Sequence, residues 1–159
     1  MISERPAEAA DRAIPGHWEG DLIIGKAGKS AVGTLVERSS RYVLRLHLPE
    51  GRAAERVSEA LRKAALSLVK GKEMAGHVSF TVDTGVKVYF CDPHSPWQRG
   101  SNENTNGLLR QYMPKGTDLS MYDAPELARI AASLSNRPRK TLGYMKPLEK
   151  FTELVAMTA

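Results

Sequence analysis

The sequence lacks the features that disulfide-rich, membrane-spanning and secreted proteins require. It contains a single cysteine, Cys91, which excludes an internal disulfide framework and a zinc site built from several cysteines. Its apolar runs are only a few residues long, so no segment is predicted to span a membrane. Residues 1–21 lack the apolar core of a signal peptide. We therefore expect a cytoplasmic protein with no membrane partner.

What the chain does have is an ordinary globular composition with a moderate excess of positive charge. Its 159 residues are enough for one domain with a substantial core. Hydrophobic residues make up 42% and charged residues 26%, as in soluble domains generally. The formal net charge is +5, which permits a polyanionic partner such as nucleic acid but does not establish one.

Turn residues divide the first third of the chain into an arm and three strands. Residues 1–15 are polar and rich in alanine, and they are predicted to form an N-terminal arm before a core domain over 16–159. Strands are predicted over 17–24, 31–37 and 42–48. The short turns between these strands predict an antiparallel meander.

The rest of the chain alternates between helical and strand patterns. Pro114, Lys115 and Gly116 are expected to end the helix that contains Glu103. The resulting order β-β-β-α-β-α-β-α-α predicts one mixed α/β domain. Its later elements are a helix over 52–66, a short strand "SLV" over 67–69, a helix over 73–84, a strand over 86–92, the helix of Glu103 and a helix over 124–134.

The segment "PHSPWQRGSNENTNGLLRQYMPKG", residues 93–116, contains one carboxylate, Glu103. At 100° per residue, Leu108, Leu109 and Tyr112 point to the core, and the opposite face presents Glu103, Asn106, Gly107 and Arg110. A carboxylate in the first turn of a helix is favourable in itself, so Glu103 has a purely structural explanation as well as a functional one. Its polar neighbours supply a stacking surface and donors suited to phosphates and bases: Trp97, Arg99, Asn102, Asn106 and Arg110.

Asp21 is the second candidate acid, because it lies inside a predicted central strand, "WEGDLII". An acid there is costly unless it is paired, hydrogen-bonded or bound to a metal ion. A salt bridge at the strand edge would explain it equally well. An acid on a first strand together with an acid on a late helix can also form a carboxylate site for Mg²⁺.

Four segments resemble bacterial insertion-sequence transposases of the DDE class, in the group of insertion sequence thirty. They are "GHWEGDLI", "KGKEMAGH", "VYFCDPHSPWQRGSNENTNGLLRQYMPKGTDLS" and "NRPRKTLGYMKP", and the likeness runs from about residue 3 to 154. The resemblance implies an integrase catalytic core with a ribonuclease-H-like fold: a five-stranded mixed sheet flanked by helices. It further implies metal-dependent phosphodiester cleavage and strand transfer in DNA transposition.

The resemblance also assigns roles to single residues. Asp21 corresponds to the first catalytic acid and Glu103 to the third, and both would bind two divalent ions, Mg²⁺ or Mn²⁺. The second acid belongs to a strand-end motif Trp-Asp-Xaa-Gly-Xaa-Glu-Met-Ala, and its position here is Val69. A valine cannot bind a metal ion, so impaired catalysis is expected, with Val69→Asp restoring cleavage. Glu19, Glu73 and Asp92 are possible substitutes.

DNA is the partner that the resemblance implies, both as transposon ends and as target. His94 lies in the loop with Trp97 and could bind a phosphate or fix the local backbone. The joining of two transposon ends is consistent with a homodimer, although the sequence shows no interface. The family's N-terminal helix-turn-helix region would precede this chain, so we expect largely non-specific DNA binding. Further basic candidates are Lys115, Arg137, Arg139 and Lys140, for which a solvated basic face is the alternative.

Two other functions remain open. A degenerate core could keep DNA or protein contacts as a binding module without chemistry. A ribonuclease-H-type nuclease of the host is the third possibility, and the long motif around Glu103 disfavours it. Metal binding at Asp21 and Glu103 would separate the first two, and cleavage of RNA–DNA hybrids would test the third.

Overall fold

Three strands, a helix, a fourth strand and three further helices follow one another in the computed structural model, which describes residues 15–70, 87–90 and 100–158. Three short 3-10 turns lie between the larger elements, at Lys26–Gly28, Leu119–Met121 and Lys140–Leu142. The larger elements are β1 (His17–Ile24), β2 (Ala31–Glu37), β3 (Val43–Leu48), α1 (Ala54–Lys70), β4 (Lys87–Phe90), α2 (Gly100–Leu109), α3 (Ala124–Ser135) and α4 (Pro147–Thr158).

The four strands form one mixed sheet in the order β3-β2-β1-β4. β1, β2 and β3 are antiparallel neighbours, which confirms the predicted meander. β4 pairs with β1 in the parallel direction. The register places Asp21 opposite Thr34 and Thr34 opposite Arg45, so these three residues form one row across the sheet. The described residues contain four strands, and the predicted count of five stays a prediction.

Period-two alternation along the strands gives the sheet two buried faces. On one face, Ile23 and Val32 pack with Leu109 of α2 and with Leu127, Ile130 and Leu134 of α3. On the other face, Trp18, Leu35 and Leu46 pack with α1 and α4. Phe151 of α4 meets the Trp18 ring edge-on, with centroids 5.9 Å apart, and stacks on Tyr42 at 4.6 Å. Burial of aromatic rings on this second face therefore anchors the C-terminal helix.

Helix α2 is attached to the end of β1 by polar contacts as well as by its apolar residues. Arg110 donates to the carbonyl of Ile24 at 3.1 Å, and the amide of Lys26 donates to the carbonyl of Thr117 at 2.9 Å. Gly25 is required here, because a Cβ at this position would lie 3.0 Å from the Thr117 carbonyl oxygen and against the Ser30 hydroxyl. These contacts fix the position of α2 over β1.

Several predictions of elements were confirmed and others were wrong. Strands 17–24 and 31–37 have the predicted bounds, and the third strand begins one residue late. The strand predicted over 67–69 is wrong, since these residues lie in α1, whose alanine-rich helical pattern continues through them. The helix of Glu103 ends at Leu109, before Pro114. Helix α4 was missed, because its segment was interpreted only as a basic tail with an apolar end.

Parts of the predicted chain lie outside the described residues. These are most of the arm over 1–15, the helix over 73–84 and the ends of the strand over 86–92. Among the described helices, none is both long enough and apolar enough to cross a membrane.

Candidate functional site

Asp21 lies half-buried on β1, on the sheet face that α2 covers. Its Oδ1 accepts a hydrogen bond from the backbone amide of Leu22 at 2.9 Å. Its Oδ2 accepts a hydrogen bond from Nδ2 of Asn106, on α2, also at 2.9 Å. Each oxygen keeps a further lone pair, so the carboxylate is fixed in position but can still accept another ligand.

Asn106 is itself oriented by Thr34, which is buried on β2. The Thr34 hydroxyl lies 3.3 Å from Oδ1 of Asn106 and can donate to it. Because this carbonyl oxygen faces a donor, the amide nitrogen of Asn106 points towards Asp21. Thr34, Asn106 and Asp21 thus form a chain of polar contacts that links β2, α2 and β1.

Glu103 is exposed and lies one helical turn before Asn106, on α2. A turn of helix advances about 5.4 Å along the axis, so Glu103 lies about one turn along α2 from the residue that contacts Asp21. An open groove of about 410 Å³ runs beside Glu103 and is lined also by Gly100, Asn104, Gly107 and Leu108. A Cβ added at Gly100 or Gly107 would meet nothing within 4 Å, so a large substrate can approach the helix backbone there.

The described oxygen ligands around Asp21 and Glu103 are too few to bind two divalent ions. Asp21 and Glu103 supply two carboxylates, whereas two-ion sites use more oxygen ligands than these supply. Val69, the position of the missing acid, lies within α1 and not at a strand end. No group of three or more His, Cys, Asp and Glu residues that could bind a metal ion occurs within residues 15–70, 87–90 and 100–158.

Of the three possible substitutes for the second acid, the structure describes only Glu19. Glu19 shares the strand face of Asp21, but its Oε1 lies 2.7 Å from Nε of Arg38 and both side chains are buried. A buried pair of this kind is costly to break, since it would leave an uncompensated charge. Glu73 and Asp92 lie outside the described residues.

The DNA-binding residues predicted on α2 prove to be largely occupied by the fold. Asn102 is fully buried, which is not the position of a side chain that contacts DNA. Asn106 contacts Asp21, and Arg110 donates to the Ile24 and Met113 carbonyls. The predicted polar face is exposed at Glu103 and Gly107, as expected, whereas Asn106 and Arg110 contact β1. His94, Trp97 and Arg99 lie outside the described residues.

The basic residues outside α2 differ in exposure. Lys115 and Lys140 are exposed and available to a polyanion. Arg137 is half-buried and donates to Gln111 and to the hydroxyl of Tyr112. A hydrogen bond with Ser133, followed by the charge and hydrogen bond of Arg137, lowers the pKa of Tyr112.

Arg139 is half-buried and donates to the Leu134 carbonyl at 3.2 Å. Its Nε atom has no hydrogen-bond partner in the described part of the chain. Burial first, and then the neighbouring charge of Arg137, lowers the pKa of the Arg139 guanidinium. The two arginines therefore concentrate positive charge at the end of α3.

Thr34 is the residue of this site that the sequence analysis missed. It is the one polar residue in the middle of the strand "AVGTLVE", which ends in Glu37, and the antiparallel register pairs it with Asp21. That polar position in a buried strand was a usable signal.

The chain was compared with known families, proteins and structures. No family model matches it. It is 53% identical, over 98% of its length and 48% of the relative's, to the transposase for insertion sequence element IS1086 of Cupriavidus metallidurans. It is 50% identical, over 99% of its length and 43% of the relative's, to the transposase InsI for IS30A of Escherichia coli. The transposase for IS4351 of Bacteroides fragilis is 40% identical over 97% of the chain and 50% of the relative.

The fold also resembles a solved structure. A chain in the cryo-electron microscopy structure of the simian T-cell lymphotropic virus intasome with the PP2A regulatory subunit B56 gamma superimposes with a TM-score of 0.59. The match covers 87% of this chain and 55% of that one at 17% identity, which supports the fold alone.

The chain spans about half the length of the curated relatives that it matches. The sequence likeness nevertheless covers almost every residue of this chain, including β1 with Asp21 and α2 with Glu103. Nearly the whole chain is therefore similar, at 50–53% identity, to about half of bacterial insertion-sequence transposases of the IS30 group.

Proposed function

We propose that the chain is the catalytic-core part of a DNA transposase, with Asp21 and Glu103 as its two remaining catalytic acids. The reaction of this class is metal-dependent cleavage of a phosphodiester and transfer of the freed strand to target DNA. DNA is then the partner, as substrate and as target. The observation that carries the proposal is the hydrogen bond from Asn106 to Asp21, which joins the helix of Glu103 to the strand of Asp21.

The fold around these acids supports the proposal. The mixed α/β sheet with α2 across β1 is compatible with the ribonuclease-H-like fold of integrase cores, of which a fifth strand would be a further part. The open groove beside Glu103 gives a large substrate access to α2. Lys115 and Lys140 add exposed positive charge for contacts with phosphates.

We further propose that this core is impaired in cleavage. Its described donors do not fit the two divalent ions, Mg²⁺ or Mn²⁺, that the family implies, so no reaction step is assigned to such ions here. The place of the second acid holds a valine within a helix. Loss of one ligand that costs about 4 kcal/mol of transition-state stabilisation slows cleavage about a thousandfold.

A binding module without chemistry is the second candidate function, and the helical position of Val69 favours it. The two candidates differ in one measurement. A nicking assay with Mn²⁺ and DNA containing a transposon end should give slow but detectable cleavage by the impaired enzyme, which Asp21→Asn abolishes. Cleavage absent from both forms, together with retained DNA binding, would favour the binding module.

A further inference from the structure

The segment that follows α3 forms a closed loop with an exposed aromatic side chain at its tip. The amide of Tyr144 donates to the Arg139 carbonyl at 2.8 Å, and the amide of Arg139 donates to the Met145 carbonyl at 3.0 Å. The short 3-10 turn Lys140–Leu142 lies between them. Backbone hydrogen bonds at both ends therefore define the shape of residues 139–145, which we name the Tyr144 loop.

The conformation of Tyr144 is unusual for its residue type. Its φ angle is +66°, in the left-handed region, and it follows Gly143, whose φ is +60°. A bulky residue with a Cβ is disfavoured in this region, whereas glycine is not. The side chain is also exposed, since 69% of Tyr144 is accessible to solvent. Departures of this kind cluster at functional sites.

Positive charge surrounds the exposed ring along the chain. Arg137, Arg139 and Lys140 precede it, and Lys146 follows it. No ion pair with an acidic side chain is found for Arg137, Arg139 or Lys140 within the described residues, while Lys146 lies 3.8 Å from Glu149. Surfaces that bind single strands of nucleic acid combine such a basic path with an aromatic ring on which a base stacks.

We propose that Tyr144 is a stacking site for an unpaired base of DNA, with the exposed Lys140 of the same loop to receive a flanking phosphate. This inference rests on the proposed function, because it assumes DNA as the partner. An exposed ring on a rigid loop cannot stack on a base that is already paired and stacked within a duplex. The loop therefore recognises a strand end or an opened duplex.

Two substitutions separate the ring from the loop that presents it. Tyr144→Gly removes the ring and at the same time accepts the positive φ without strain, so the loop keeps its shape. Tyr144→Phe keeps a stacking ring and removes only the hydroxyl. Met121→Ala is the matched control, because Met121 is another large side chain, 76% exposed, outside this loop.

The experiment measures the fluorescence anisotropy of two labelled DNAs with the 159-residue chain: a blunt duplex, and the same duplex with a single-stranded 3′ overhang. The unaltered chain should prefer the overhang. Tyr144→Gly should weaken binding of the overhang by about fivefold to a hundredfold and leave the blunt duplex unchanged. Tyr144→Phe and Met121→Ala should behave as the unaltered chain does.

Each contrary result has a distinct meaning. Equal loss of both DNAs in Tyr144→Gly, or loss of neither, overturns the stacking site while the proposed function stands. A change of molecular mass in Tyr144→Gly with unchanged DNA binding also overturns it, since the ring would then contact a second protein molecule. Failure of the unaltered chain to bind either DNA overturns the proposed function together with this inference.

Discussion

Two corners of this molecule that the family would use for one reaction are built very differently. At the first, Asp21 is fixed by hydrogen bonds from Leu22 and Asn106, and Thr34 orients Asn106 in turn. At the second, the position of the missing acid holds Val69 within α1, where the sequence predicted the end of a strand.

On the proposed function, part of a catalytic scaffold persists in this chain. The contacts of Asp21 also join α2 to the sheet, so they contribute to folding whether or not the protein is active. The second acid would have no such structural task, and its loss need not unfold the chain. We therefore expect this protein to be a stable domain with weak chemistry.

The largest expected effect comes from rebuilding the second corner. Val69→Asp, which adds a carboxylate at the position that the resemblance gives to the second acid, should raise the nicking rate with Mn²⁺ about a thousandfold. Asp21→Asn in the Val69→Asp chain should remove this gain. Nicking of end-labelled DNA on a denaturing gel measures both.

Val69→Ala is the matched control for Val69→Asp, because it removes the same side chain without adding a carboxylate. It should leave the nicking rate unchanged. No gain with Val69→Asp, or an equal gain with Val69→Ala, would contradict the assignment of the second acid to position 69.

A smaller effect tests the first corner. Asn106→Ala should lower the free energy of unfolding by about 1–2 kcal/mol, because it removes a hydrogen bond to a carboxylate and leaves Thr34 without that acceptor. Asn104→Ala is the matched control, since Asn104 is exposed on the same helix and should change stability by less than about 0.5 kcal/mol. Urea unfolding measures both, and equal values would contradict the role of Asn106.

Substitutions of Arg110 and of Lys115 should differ in their effect on the free energy of unfolding. Arg110→Ala removes donors to the Ile24 and Met113 carbonyls and should destabilise the domain by about 1 kcal/mol. Lys115→Ala should leave the free energy of unfolding unchanged, because Lys115 is exposed. If Arg110→Ala weakens DNA binding with no loss of stability, its predicted contact with DNA is favoured instead.

The smallest expected effect is a change in the salt dependence of DNA binding. If Lys140 contacts a phosphate, Lys140→Ala should lower the slope of log affinity against log salt concentration by about 0.9. Lys63→Ala, on an exposed face of α1 where Lys63 pairs with Glu59 at 2.8 Å, is the control and should leave the slope unchanged. Titrations of one duplex at several salt concentrations measure the difference.

The sequence predicted much of the sheet because its signals are local. Alternation and glycine-containing turns define β1 and β2, and the meander follows from short connections. The strand over 67–69 was wrong because three apolar residues fit either structure, and the helix already begun at Ala54 continues through them. Helix α4 was missed because proline and lysine near its start hid an apolar face that packs on Trp18.

The candidate site was harder to predict than the sheet. Asp21 and Glu103 were chosen from their residue type and from the family motif, and their roles stay a prediction. The wheel for α2 was wrong for Asn106 and Arg110, which hydrogen-bond to Asp21 and to the Ile24 carbonyl of β1. Asn102, which was predicted to contact DNA, is buried. Long-range pairing of this kind is not visible in local periodicity.

Calorimetric titration with Mn²⁺ tests most directly whether the metal ligand at Asp21 persists without a second acid at position 69. We expect the 159-residue chain to bind at most one Mn²⁺ ion, and Asp21→Asn to remove that binding. Two ions bound per chain, both lost in Asp21→Asn, would contradict the conclusion that the second ligand corner is missing.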